Sequence, residues 1–239
     1  MKSEKLLKIN EYLAGRGVSI SEDDRGLFLA YKDMILRADF TEMLGRIAPG
    51  ALAQELIVKA SGINKGNPKL SPLAIDATAG LGEDSLLLAA SGYSVLMYEK
   101  DPVTFCLLED AVNRALNLPD EPEYKALKEA ATRMTPNNED SIDSMERMSD
   151  KGINPDIVFL DPMFPERKKS SLVGKKLQIL QALENPCENE EDLLNAAINL
   201  NPKRIIIKRP PKGPYLAGVK PSFSYTGKSV RIDCIVNHL

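Results

Sequence analysis

From residue 73 onward, short apolar runs bounded by turn residues alternate with longer stretches of helical spacing. That alternation leaves few architectures open. "LAIDA" (73–77), "SVLMYE" (94–99), "DIVFL" (156–160) and "KRIIIKR" (203–209) are short and apolar inside, as strands buried on both faces are. Between and after them, "EDSLLLAASG" (83–92), "DPVTFCLLEDAVNRALNL" (101–118), "EDSIDSMERM" (139–148), "LVGKKLQILQAL" (172–183) and "NEEDLLNAAINL" (189–200) read as helices. Asp101 is the expected cap of the second, with Pro102 in its first turn. A weaker strand is expected near "RMT" (133–135), where Pro136 interrupts the run. The tail, "PSFSYTG" then "KSVRIDCIV", reads as an antiparallel pair. The expected fold is α/β: a doubly wound, mostly parallel seven-stranded sheet with a reversed strand near the C-terminus.

Residues 1–62 read differently, as an N-terminal extension or small subdomain ahead of a main domain over 63–239. "SEKLLKINEYLAG" has helical spacing with Ser3 as its expected cap, and "GLFLAYKDMILRADF" suits strand or helix. "PGALAQELIVKASGI" predicts a helix from Pro49 to about Ser61, ended by Gly62. "NKGNPKLSP" (64–72) is the expected boundary loop. No apolar run approaches the ~20 residues that cross a bilayer, and the first residues are charged throughout, so a cytoplasmic protein without membrane contact is expected. Three widely spaced cysteines, Cys106, Cys187 and Cys234, and a single histidine, His238, argue against a disulfide framework, a metal site or a histidine-based triad.

The run "IDATAGLGED" (75–84) joins the first main-domain strand to its helix, at the carboxyl edge where doubly wound sheets bind ligands. Gly80 and Gly82 would let the backbone approach a ligand without an intervening Cβ. A dinucleotide fingerprint starting at Gly80 would need glycine at 85, where Ser85 stands, which disfavours an NAD-dependent dehydrogenase. Glu83 and Asp84 open the helix, and Asp76 lies in the strand. Acids there would repel a pyrophosphate but suit a cationic ligand such as S-adenosylmethionine, which carries a sulfonium and an ammonium. Glu99, 17 residues after Gly82, could accept from both hydroxyls of a ribose. The plain alternative is a βα turn with Glu99 on a solvated loop.

"DPMFP" (161–165) follows the strand "DIVFL". The prolines restrict φ and stiffen the turn. The Asp161 carboxylate and the Pro162 carbonyl could each accept an N–H bond from an exocyclic amine, and Phe164 could stack on a base. The alternative is a rigid turn whose Phe164 packs in the core. Net charge is −3, but it is uneven. Residues 1–160 hold 18 Lys/Arg and 26 Asp/Glu (net −8), and residues 161–239 hold 13 and 8 (net +5). Arg167, Lys168, Lys169, Lys175 and Lys176 follow the turn, and "KRIIIKRPPKG" adds Lys203, Arg204, Lys208, Arg209 and Lys212. Such cations at a pocket rim would meet phosphates without reading sequence.

Together, "DATAGLGED", "YEKDP", "VFLDPMFPERKKSSLV" and "IIIKRPP" resemble the 16S ribosomal RNA guanine-N2 methyltransferases of the small subunit, within the class I S-adenosylmethionine-dependent methyltransferases. The resemblance spans roughly 73–239. The family's glycine- and arginine-rich segment ahead of this region is here only "GRIAPGALAQELIVKASG". Met163 separates this chain from the Asp/Asn-Pro-Pro-aromatic enzymes that act on DNA adenine or protein glutamine.

The resemblance implies S-adenosylmethionine as cofactor and 16S rRNA or the small ribosomal subunit as partner, in ribosome biogenesis. It implies cofactor contacts at Glu83, Asp84, Glu99, Lys100, Asp140, Ser141 and Asp161, beside Asp76, Gly80 and Gly82 from the loop itself. Catalysis falls to Asp161, Pro162 and Phe164. RNA contact falls to Arg167, Lys168, Lys169, Lys175, Lys176, Lys208 and Arg209, the last two at a strand end. The residues themselves leave open another amino methyltransferase, or a non-catalytic RNA-binding module on the same fold.

Overall fold

The computed structural model describes residues 2–63, 72–162 and 189–237. Among the described residues, the main sheet has seven strands: β4 (Leu73–Asp76), β5 (Ser94–Tyr98), β6 (Met134–Asn137), β7 (Ile157–Leu160), β8 (Arg204–Arg209), β9 (Phe223–Thr226) and β10 (Arg231–Val236), in the order β6-β5-β4-β7-β8-β10-β9. Pairings from β6 through β8 are parallel, and β10 runs antiparallel to both its neighbours. This is the expected sheet with one reversed strand. The chain builds outward from β4 to β6, then returns to lay β7 on the other side of β4. The strand order therefore reverses between β4 and β7, which opens a crevice at their carboxyl ends.

The apolar runs are explained by burial on both faces. Along β7, Ile157 and Phe159 enter one core and Val158 and Leu160 the other. On β8, Ile206 faces the first, and Ile205 and Ile207 the second. Helices α5 (Glu83–Ser91), α6 (Pro102–Leu116) and α7 (Lys125–Ala131) cover the first face. Helices α8 (Ser141–Asp150) and α9 (Glu190–Asn199) cover the second. Asp101 caps α6 as expected, accepting from the Val103 and Thr104 amides at 3.1 and 2.7 Å. Pro136 is tolerated because β6 is an edge strand. The predicted helix over 172–183 lies outside the described residues.

The N-terminal region departs from several expectations. Helix α1 (Lys2–Tyr12) begins at Lys2, so Ser3 lies inside the helix and is not its cap. The ambiguous stretch after it is a hairpin within a three-stranded antiparallel sheet: β1 (Val18–Asp23), β2 (Gly26–Tyr31) and β3 (Met34–Leu36). The predicted helix from Pro49 to Ser61 is two, α3 (Pro49–Leu52) and α4 (Leu56–Ser61), after a first short α2 (Leu44–Ile47). It breaks where Glu55 adopts an extended backbone (φ −60°, ψ 129°) and its carboxylate accepts two bonds from the Arg46 guanidinium at 2.7 and 2.9 Å. Gly62 ends α4 with φ +66°, as expected.

This region shares the first core. Ile20, Leu29 and Phe40 cluster with Leu107 and Leu108 of α6. Polar contacts reinforce the join. The Leu27 amide donates to Asp110 Oδ2 at 3.0 Å, Arg114 donates to the same oxygen at 2.7 Å, and Lys5 pairs with Glu109 at 2.6 Å. Among the described residues, no helix is long and apolar enough to cross a membrane.

Candidate active site

The loop between β4 and α5 is built by backbone bonds and one buried acid. The Ala77 amide extends the ladder to Phe159 O, and the Ala79 amide donates to Tyr98 O, each at 3.0 Å. Asp76, 1% exposed, accepts from the Thr78 amide at 3.1 Å and from Ser85 Oγ at 2.5 Å. This corrects the expectation that Asp76 faces a ligand: its carboxylate points inward and ties the loop to the helix. It also explains Ser85, which stands where a dinucleotide loop would have glycine because its hydroxyl holds Asp76.

The two glycines serve different needs. Gly80 has φ +52°, and a Cβ there would meet nothing within 4 Å, so the backbone lines open space. Gly82 has φ +82°, but its Cβ would lie 2.6 Å from Leu108 Cδ1 and 3.0 Å from both Met97 Cε and Phe40 Cζ. Gly82 is therefore required for packing against the core, not for approach to a ligand.

Burial raises the Asp76 carboxyl pKa to about 7, and the negative charges of Asp84 and Asp161 add to that, against the bonds from Ser85 and Thr78. An unfolded aspartate ionises near pH 4. Ionisation of Asp76 thus opposes folding. Its contribution to stability is fully present below about pH 4, drains away as pH rises towards 7, and is constant above that. Asp76→Asn, which cannot ionise, is expected to flatten this slope. Thermal melts of both proteins between pH 4 and 8 check it, and parallel curves would refute it.

On one side of the loop, Glu99 is buried at the end of β5. Its Oε2 accepts from the Gly80 amide at 3.0 Å and its Oε1 from the Asp101 amide at 2.8 Å. Lys100 is exposed next to it. Asn138 Nδ2 donates to the carbonyls of Glu99 and Lys100 at 2.8 and 3.2 Å, which draws the β6–α8 turn alongside. In that turn Asp140 caps α8, accepting from the Ile142 amide at 2.9 Å, and Ser141 is buried in the first turn. The ends of β4, β5 and β6 thus gather Gly80, Glu99, Lys100, Asp140 and Ser141.

On the other side, the Asp161 amide donates to Thr78 Oγ1 at 2.6 Å, so the turn after β7 is bolted to the glycine loop. Lys208 Nζ, on β8, lies 2.6 Å from Asp84 Oδ2 and 2.8 Å from Asp161 Oδ2. Burial raises the Asp161 pKa, helped by Asp84 and opposed by Lys208. Burial also works against the Lys208 charge, but Asp84 and Asp161 outweigh it and hold its pKa above the ordinary lysine value.

Both strand-end cations read as RNA contacts are placed otherwise. Lys208 is spent on two carboxylates. Arg209 is 2% exposed and donates to Glu190 Oε1 at 3.0 Å and to Pro214 O at 3.1 Å, so it buttresses α9 and cannot meet a phosphate. Thr78, Asn138 and the pairing role of Lys208 escaped the sequence reading, because each depends on a partner far along the chain. Phe164, Arg167, Lys168, Lys169, Lys175 and Lys176 lie outside the described residues. Among the described residues, no cluster of three or more His, Cys, Asp or Glu could hold a metal.

A switch-point crevice with a glycine loop, a buried acid at the end of β5 and further carboxylates fits a cationic nucleoside cofactor. The comparisons with known proteins agree. The family model described as "Putative SAM-dependent methyltransferase" matches residues 22–237. A ribosomal RNA small subunit methyltransferase J from Neisseria meningitidis is 40% identical over 179 residues, covering 75% of this chain and 67% of that protein. One of the same name from Nitrosococcus oceani is 40% identical over 182 residues, covering 76% and 68%. The crystal structure of a SAM-dependent methyltransferase from Neisseria gonorrhoeae superposes with a TM-score of 0.70 at 30% identity, covering 93% of this chain and 84% of that one. The chain therefore belongs to the S-adenosylmethionine-dependent methyltransferases, in the family of the ribosomal RNA small subunit methyltransferase J proteins.

Proposed function

We propose that this protein transfers a methyl group to the exocyclic N2 amine of a guanosine in 16S rRNA of the small ribosomal subunit. The observation that carries this reading is Asp161. Its carboxylate stands at the end of β7, anchored through its backbone to the glycine loop by Thr78 and through its side chain to Lys208.

S-adenosylmethionine supplies the methyl as an electrophile on a sulfonium, which becomes a neutral thioether when the N–C bond forms and the S–C bond breaks. The chain's residues do the rest. Gly80 leaves room for the cofactor against the backbone, and Glu99 accepts from its ribose hydroxyls. Lys100, Asp140 and Ser141 line the same end of the crevice. Glu83 and Asp84 supply negative charge near its ammonium.

Asp161 and the Pro162 carbonyl accept the two N–H bonds of the guanine amine. That amine is a poor nucleophile because its lone pair is conjugated with the ring. Holding both hydrogens moves the nitrogen towards tetrahedral geometry and aims the lone pair at the methyl. Positioning and electrostatics of this kind need no strong base. The elevated proton affinity of Asp161 suits it to take up the proton that the nitrogen sheds. Phe164 stacks on the base, and the cations from Arg167 to Lys176 hold the RNA backbone. Lys212 and Lys228 are exposed at the same edge of the sheet and take the phosphate contacts that Lys208 and Arg209 cannot. Residues 1–62 act as a small subdomain whose Phe40 supports the glycine loop from below.

Transfer of tritiated methyl to naked 16S RNA, assembled small subunits, DNA and protein tests the assignment. Label is expected in the RNA, free or assembled. Label confined to DNA or protein, or none at all, would overturn it.

A further inference from the structure

Lys208 and Asp84 are 124 residues apart in sequence, yet their charged atoms meet at 2.6 Å. The same ammonium reaches Asp161 at 2.8 Å, so one cation joins α5, β7 and β8 at the crevice. Its neighbours on β8, Ile207 and Arg209, are buried, and the Lys208 side chain keeps 33% exposure with its nitrogen turned to the two acids. Among the described residues, the charged groups facing Asp161 are Lys208 and Arg209 from β8, Asp84 from α5 and Asp76 from β4. Of the two cations, Arg209 is engaged by Glu190. Among the described residues, Lys208 is the cation in direct contact with the Asp161 carboxylate.

We infer that Lys208 is a positioning residue for methyl transfer: its ammonium fixes the Asp161 carboxylate in the orientation that receives the substrate amine. The inference deepens the proposed role of Asp161 and rests on it. Two consequences follow. The carboxylate rotor is held by an ion pair on one oxygen, which leaves the other to accept an N–H. The carboxylate is also kept ionised beside Asp84, whose like charge favours protonation. Without the ammonium, Asp161 would hold its proton to higher pH, and a protonated carboxyl is a weaker acceptor for the amine.

The test is the pH profile of kcat and kcat/KM for Lys208→Met and Lys208→Arg with a small-subunit RNA substrate, alongside Asp161→Ala. Lys208→Met is expected to lose about 10- to 100-fold in kcat at neutral pH. Its acid limb should move up by at least about one pH unit, with activity partly recovered above it. Lys208→Arg keeps a cation, so its limb should stay where it is in the native enzyme while kcat falls less.

A Lys208→Met enzyme with native kcat, or with reduced kcat and an unmoved acid limb, overturns the inference. Lys208→Gln carries the same test should the methionine variant fail to fold. The two failures separate cleanly. If Asp161→Ala transfers methyl normally, the underlying reading of Asp161 has failed. If Asp161→Ala is inactive and the Lys208→Met profile is native, only the role of Lys208 has failed.

Discussion

Asp161→Ala is expected to lower methyl transfer by about 10²–10³-fold, or ~3–4 kcal/mol of transition-state stabilisation. The fold and the cofactor site should stay largely intact. The asymmetry follows from how the residue is held. Its contribution to the architecture is through the backbone amide, which donates to Thr78 Oγ1 and is unchanged by the substitution. What the variant loses is the carboxylate, the acceptor proposed to orient the amine. Lys208 keeps a partner in Asp84, so the cation is not left unpaired. Calorimetric titration with S-adenosylmethionine should give an affinity within a few-fold of the native protein, while single-turnover transfer collapses. Near-native turnover from a folded Asp161→Ala protein would remove Asp161 from the mechanism.

Gly82→Ala is expected to be the most damaging small change in the crevice, through stability. Its φ of +82° is strained for any side chain, and the new Cβ would press on Leu108, Met97 and Phe40, with Leu108 Cδ1 at 2.6 Å. A left-handed non-glycine residue costs about 1–3 kcal/mol, and overpacking a close-packed core costs about as much again. A loss on the order of 3 kcal/mol should appear as a lower denaturant midpoint, together with weakened cofactor binding as the loop shifts. Gly80→Ala is the control. With φ +52° and open space around the Cβ, it should cost about 1 kcal/mol of stability and still weaken cofactor binding, because the added methyl enters the cradle. Equal stability losses in the two variants would contradict the separate roles assigned to these glycines.

The main sheet was legible because burial on both faces writes each strand as an unbroken apolar run. The α6 cap was legible because Asp101-Pro102 is local chemistry. Even β6, with Pro136 inside it, makes sense once it is placed at the sheet edge. The N-terminal hairpin was not legible. Its β2–β3 turn puts Lys32 at φ +54°, a conformation lysine does not advertise. The break between α3 and α4 depends on Arg46 reaching Glu55, a tertiary contact that overrides local helical preference.

The site divides in the same way. The glycine loop, Glu99 and the Asp161 turn sit where sequence order and sheet topology put them. The inward direction of Asp76, the burial of Arg209 and the capture of Lys208 by two acids depend on side-chain geometry across the sheet. Their charge and their place at a strand end assigned both cations of β8 to RNA. Their partners, Asp84 and Glu190, lie on helices that the sequence does not mark as neighbours of that strand.

The most direct test of the central claim is nucleoside analysis by mass spectrometry of small-subunit RNA after incubation with S-adenosylmethionine and either the native protein or Asp161→Ala. The native protein should produce N2-methylguanosine in the RNA, and Asp161→Ala should produce almost none over the same time. Methylation at another atom or another base, or equal N2-methylguanosine from both proteins, would contradict it.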